Sequence, residues 1–259
     1  MRRIRSTSFA RAASLVWRNG LCDLILVAMA FICYSLVREG SSHRQIEATY
    51  NAVDLAQVER ALFIAREGSS QHLILWSGFL VRVFNDIYSY GHFTFIGIAG
   101  LWLFFRHRPT FVLFRNAFFI SGAIALVAFN VFPVAPPRLL PGEFGAVDTL
   151  RLFSAVNYEN SGRFVNEYAA MPSLHVAWNL LICLAIASVT RNRVIRTAAT
   201  IMPLVMSITV VVTGNHWILD CVFGYVVGAI GLGLALLAKR ESSRVRAFFT
   251  GSPGEPVSA

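Results

Sequence analysis

Runs of about 20 apolar residues recur along almost the whole chain, separated by short arginine clusters, and they limit what it can fold into more than any other feature. A helix of that length crosses the hydrocarbon of a bilayer, where only a helix or a closed barrel satisfies its own backbone. Six runs qualify, at about 20–37, 87–105, 111–133, 173–190, 197–215 and 217–238. Only 14% of the 259 residues are charged, against roughly 25% in a soluble domain. The predicted fold class is all-α: a polytopic membrane protein built as a six-transmembrane-helix bundle. It forms one domain over 20–238, with a basic tail at 1–19 and a basic, disordered tail at 239–259.

The arginines also predict an orientation. The N-terminal tail carries Arg2, Arg3, Arg5, Arg11 and Arg18, and further clusters occupy 106–115, 191–196 and 239–246. Together they hold fifteen of the 23 basic residues, with Glu241 the only acid among them. The alternate segments, 38–86 and 134–171, hold eight arginines and ten acids. By the positive-inside rule both termini and the short basic turns are cytoplasmic, and the two long segments are outside. Although the net charge is +9, these clusters form no continuous patch, so nucleic acid is not an expected partner. One lysine against twenty-two arginines reads as a GC-rich bacterial gene. "AMA" at 28–30 resembles a signal-peptide cleavage site, but the apolar run continues past it, so the first run is read as an uncleaved anchor in the cell membrane.

Between the first two runs, "IEATYNAVDLAQVERALFIAREG" has helical apolar spacing with a charged face, and "HLILWSGFLV" at 72–81 is too short to span. Tyr88, Tyr90, His92 and Phe93 read as an interfacial aromatic belt. Gly224 and Gly228 form a GxxxG pair suited to close helix approach. Cys22, Cys33, Cys183 and Cys221 show no ligand spacing and read as packing residues.

Polar residues that interrupt such runs mark chemistry. In the inferred topology "MPSLH" (171–175) and "GNHWILD" (214–220) both begin spans on the outer face, and Arg138 follows the third span on that side. His216 and Asp220 are i and i+4 on a helix, so the carboxylate can accept one imidazole hydrogen and leave the other nitrogen basic. That is the arrangement of a histidine nucleophile. Pro172–Ser173 opens a helix whose free N–H groups suit an anion, and His175 in the same turn can protonate a leaving oxygen. The Arg138 fork suits phosphate oxygens. The set points to phosphoryl transfer through phosphohistidine.

"APPR", "MPSLH" and "TGNHWILD", in this order and spacing, resemble the type 2 phosphatidic acid phosphatase superfamily, and within it the branch containing inositol phosphorylceramide synthases and their bacterial relatives. The resemblance covers roughly 85–238. It implies a six-helix core without metal or cofactor, attack by His216, orientation by Asp220, general-acid catalysis by His175, and phosphate held at Arg138 and Ser173. The broader superfamily carries an arginine six residues before the nucleophile, where this chain has Val210. Thr213 and Asn215 stand nearby instead, and Asn215 is counted with the phosphate-binding residues. Arg151 and Arg163 are further cations available to the outer loop. The "RHRP" at 106–109 looks like another superfamily motif but falls on the cytoplasmic side.

The expected substrate is a membrane lipid phosphate or phosphodiester, with water or a lipid alcohol as acceptor. Two other classes use the same residues. A metal-dependent hydrolase would lose activity in chelator, but no Cys or Glu completes a coordination shell. A non-catalytic lipid-binding scaffold would keep its binding after substitution of His216.

Overall fold

The computed structural model describes residues 20–23, 25, 26, 29, 44–140, 142, 146–153 and 168–250. Two compact units divide the chain, Met1–Gly40 and Ser41–Ala259. In the first unit the described residues are helical; most of the first predicted span, together with Cys33 and Arg163, lies outside the described residues.

All the regular structure described in the second unit is helical, apart from one isolated parallel bridge between Val134 and Ala169. In chain order its helices are α1 (Gln45–Ala61), α2 (Glu67–Leu75), α3 (Gly78–Asp86), α4 (His92–Arg106), α5 (Arg108–Val131), α6 (Thr149–Phe153), α7 (Leu174–Val189), α8 (Arg193–Val212) and α9 (Ile218–Thr250). A π-helical turn, Ile87–Gly91, joins α3 to α4 without a break.

Four helical stretches are long and apolar enough to cross a membrane: Gly78–Arg106, Arg108–Val131, Arg193–Val212 and Ile218–Arg244. These four are fewer than the six predicted, and a count of six is not confirmed among the described residues. The predicted span at 173–190 is the apolar helix α7, only 16 residues long. Its apolar character also suits its packing, because α7 stands in the middle of the bundle and contacts α4, α5, α8 and α9. Val176, Ala177, Leu181, Ile182, Cys183 and Ala185 are all buried on it. The second span begins at 78 rather than 87, since Ser77 caps α3 by accepting from Leu80 N–H and the helix carries its polar Asn85 inward. Residues 239–250, read as a separate tail, continue α9.

Local sequence accounts for the breaks. His107 ends α4, and Pro109 sits in the first turn of α5, where a missing N–H costs nothing. Asn192 caps α8, accepting from Val194 and Ile195 N–H. Large apolar side chains such as Ile98, Leu101, Phe105, Val127, Ile201, Leu204, Ile230 and Leu237 are exposed on the four long stretches. That surface suits lipid.

At one end of the bundle, four segments are stitched together by backbone bonds. Ala135 N–H donates to Ala48 O of α1 (3.0 Å), Ala170 N–H to Val134 O (3.2 Å), Arg138 N–H to Gly214 O (2.9 Å) and Ser173 N–H to Asp220 O (3.0 Å). The Trp217 indole N–H reaches Ala135 O at 2.9 Å. Gly214 takes φ +71°, and a Cβ there would lie 3.3 Å from both Arg138 Cβ and Gln71 Nε2. Glycine fits both the turn and the space.

Candidate active site

The stitched end is where the sequence placed its polar residues. His216 sits in the turn between α8 and α9, 5% exposed, and Asp220 is fully buried one turn later. His216 Nδ1 lies 2.8 Å from Ala170 O and 3.3 Å from Asp220 Oδ2. A carbonyl can only accept, so Nδ1 carries a hydrogen, and in the neutral ring Nε2 is then the nitrogen with the lone pair. Asp220 Oδ2 also accepts Trp217 N–H at 2.9 Å, which locks the carboxylate to the first turn of its own helix.

His175, in the first turn of α7, faces this imidazole with ring centroids 5.8 Å apart. Tyr88 stacks on His175 at 4.5 Å, and His92 packs against it at 4.7 Å. Ser173 caps α7 by accepting from Val176 N–H, and is itself fully buried. The α7 and α9 backbones approach closely: a Cβ on Gly224 would lie 2.5 Å from Ser173 O, and one on Gly228 3.2 Å from Ala177 O. The GxxxG pair therefore sets the distance between the two histidine-bearing segments.

Arg138 is 7% exposed and sits on a 3₁₀ turn, Pro137–Leu139. Its Nε donates to Asn215 Oδ1 at 2.9 Å, and a second guanidinium nitrogen pairs with Asp148 Oδ2 at 3.3 Å. Asn215 in turn donates to Thr213 Oγ1 at 2.8 Å. The asparagine thus aims Arg138. Thr213 is fully buried, and its hydroxyl reaches back to Thr209 O.

The structure brings together His216, Asp220, His175 and Ser173, and sets Arg138 against Asn215, the neighbour of His216. Val210 is fully buried in an apolar cluster with Val176, Met206 and Cys221, so no cation enters from that position. Arg151 lies on α6 and is exposed. His92, read as a belt residue, is instead 1% exposed with neither ring nitrogen hydrogen-bonded. Tyr90 is 55% exposed. Cys183 and Cys221 are free and buried, and Cys22 is free and exposed. Among the described residues no group of three His, Cys, Asp or Glu is arranged to hold a metal ion.

Several contributors carried no sequence signal. The Ala170 carbonyl is backbone, and Asp148 sits in a loop. Gln71 exchanges two hydrogen bonds with Val147, at 2.8 and 2.7 Å, which fixes the Asp148 strand of that loop. Asn85 donates to Thr149 O at 2.9 Å and supports the same segment. Glu59 and Glu67, both buried, reach the start of α9 from α1 and α2. The sequence profile of the PAP2 superfamily matches residues 53–234, a stretch that includes every one of these residues. Among curated proteins and among solved structures, nothing matches the chain.

Proposed function

The chain belongs to the PAP2 superfamily, and as a membrane protein of that phosphatase and phosphotransferase type we propose that it is a metal-independent lipid phosphotransferase acting through a phosphohistidine on His216. The observation that carries this reading is the fixed hydrogen on His216 Nδ1, between Ala170 O and Asp220 Oδ2. It leaves Nε2 as a nucleophile whose imidazolium form, once phosphorylated, is balanced by the Asp220 carboxylate.

In the first step Nε2 attacks phosphorus and the bond to the leaving oxygen breaks, with His175 giving that oxygen a proton. In the second step an acceptor hydroxyl attacks, His175 takes its proton, and the P–N bond to His216 breaks. Arg138, aimed by Asn215, and the N-terminal turn of α7 at Ser173 hold the non-bridging oxygens.

The preferred donor is a phosphodiester lipid whose whole phospho-headgroup moves to a lipid alcohol, the inositolphosphotransferase-like outcome. Its support is charge. Val210 replaces a cation with a methyl-bearing side chain, and part of the Arg138 charge is matched by Asp148. A diester carries one negative charge fewer than a monoester and fits that weaker field. The arginine distribution puts the site on the extracytoplasmic face. Reporter fusions after residues 110, 194 and 245 should read cytoplasmic, and an external signal at 194 would invert that assignment.

The test is to give purified protein monoester and diester lipids, with and without lipid alcohols and in the presence of chelator. Transferred headgroup is the expected product. Inorganic phosphate from monoesters, with no transfer to any acceptor, would make the protein a lipid phosphate phosphatase instead.

A further inference from the structure

The start of α9 is held in an unusual way. A helix leaves its first N–H groups without intrahelical partners, and here three consecutive ones go to carboxyl groups. Trp217 N–H donates to Asp220 Oδ2 (2.9 Å), Ile218 N–H to Glu67 Oε1 (3.1 Å) and Leu219 N–H to Glu59 Oε1 (2.7 Å). Glu59 is fully buried and Glu67 is 5% exposed. They arrive from α1 and α2, more than 150 residues earlier in the chain. Water or an ordinary serine or asparagine cap commonly serves such N–H groups without a buried charge, so two buried acids call for an explanation.

The two N–H groups they accept from, on Ile218 and Leu219, are adjacent in the chain, so both carboxyl groups meet at one turn. Glu59 Oε2 is buried and has no protein N–H or O–H as a partner. Carboxylates accept only, and two buried ones side by side cannot both ionise cheaply. The described titratable groups facing Glu59 are Glu67 on α2 and Asp220 and Cys221 on α9. Arg60 and Arg66 lie nearby in sequence, and both are exposed.

We infer that Glu59 and Glu67 act as a proton-sharing pair that positions the nucleophile: together they clamp the first turn of α9, and with it His216 and Asp220, while carrying a single negative charge. The inference rests on the reading of His216 as nucleophile. Burial and the neighbouring Glu67 carboxyl push the Glu59 carboxyl up to about 9, so the shared proton stays in place through neutral pH. Its loss puts a second negative charge beside Asp220 and the phosphate site, which opposes an anionic substrate. Activity should therefore fall on an alkaline limb near pH 9 that belongs to this pair.

The experiment compares pH–rate profiles of wild type, Glu59→Ala, Glu59→Gln and His216→Ala, with folded fraction measured for each. Glu59→Gln keeps an acceptor for Leu219 N–H and a donor toward Glu67, but cannot ionise. It should retain kcat within a few-fold and lose the alkaline limb. Glu59→Ala should lower kcat at least tenfold with little change in KM, and Gln should rescue it. An unchanged alkaline limb in folded Glu59→Gln would overturn the pair as its source. Wild-type kcat in folded Glu59→Ala would overturn the clamp, even with His216→Ala inactive. Full turnover by His216→Ala would overturn the underlying mechanism itself.

Discussion

Gly224→Ala probes the geometry most sharply, because it adds one methyl group at the point where the two catalytic segments touch. The new Cβ would lie 2.5 Å from Ser173 O and 3.2 Å from Val176 Cβ. An unstrained carbon–oxygen approach is about 3.4 Å, so the α7 start and α9 must separate by about 0.9 Å. Overpacking of this kind costs about 1–3 kcal/mol. The functional cost should be larger, since Ser173 is bonded through its backbone to Asp220 and a displacement of about 1 Å can cost on the order of 100-fold in rate. Two other glycines on α9 serve as controls. A Cβ on Gly231 meets Ala117 O of α5 at 2.8 Å, a similar clash away from the histidines, and one on Gly233 meets nothing within 4 Å. Melting in detergent should fall for Gly224→Ala and Gly231→Ala and hold for Gly233→Ala. Turnover per folded molecule should collapse only for Gly224→Ala. Equal turnover in Gly224→Ala and Gly231→Ala would refute the idea that this contact sets the site.

Three other outcomes are expected. His175→Ala should slow turnover about 10²–10⁴-fold, least for donors with acidic leaving groups, as rate assays across a leaving-group series would show. Asp220→Asn should cost up to about 10⁴-fold in kcat, because the imidazole tautomer held by the carboxylate is lost. Stability should follow the Glu59 proton: its carboxyl is raised from 4.5 to about 9, so the folded state binds that proton more tightly than the unfolded chain. The contribution is complete below about pH 4.5 and is lost as pH rises toward 9. Between pH 5 and 7 the loss is on the order of 2–3 kcal/mol, read as a falling melting temperature that Glu59→Gln should flatten.

That His216, Asp220 and His175 come together was more legible in the sequence than the architecture that holds them. His216 and Asp220 announce themselves through i,i+4 spacing, and the arginine counts predict His175 on the same side of the membrane as both. The 5.8 Å between the two imidazoles agrees with that placement. What failed to show were partners distant in sequence. Glu59 and Glu67 look like the solvated face of an amphipathic helix, because their partners, Leu219 and Ile218, lie more than 150 residues away. His92 looks like a belt residue because a regular helix is the default, whereas the π turn just before it is followed by a buried His92 against His175. Apolar periodicity alone does not fix the number of spans. It cannot separate a helix facing lipid from one such as α7, packed among protein neighbours. The start of the 78–106 stretch was hidden by Arg82, Asn85 and Asp86, polar residues inside a continuous helix, of which Asn85 is buried against the Thr149 segment.

The central claim is a covalent bond between His216 Nε2 and phosphorus. Purified protein is mixed with a donor lipid labelled at its phosphate, quenched in alkali, digested and mapped by mass spectrometry. Alkali preserves the acid-labile P–N bond. The account predicts label on the peptide containing His216, discharged by acceptor alcohol and missing from His216→Ala. Label on any other residue, or turnover at the wild-type rate by His216→Ala, would contradict it.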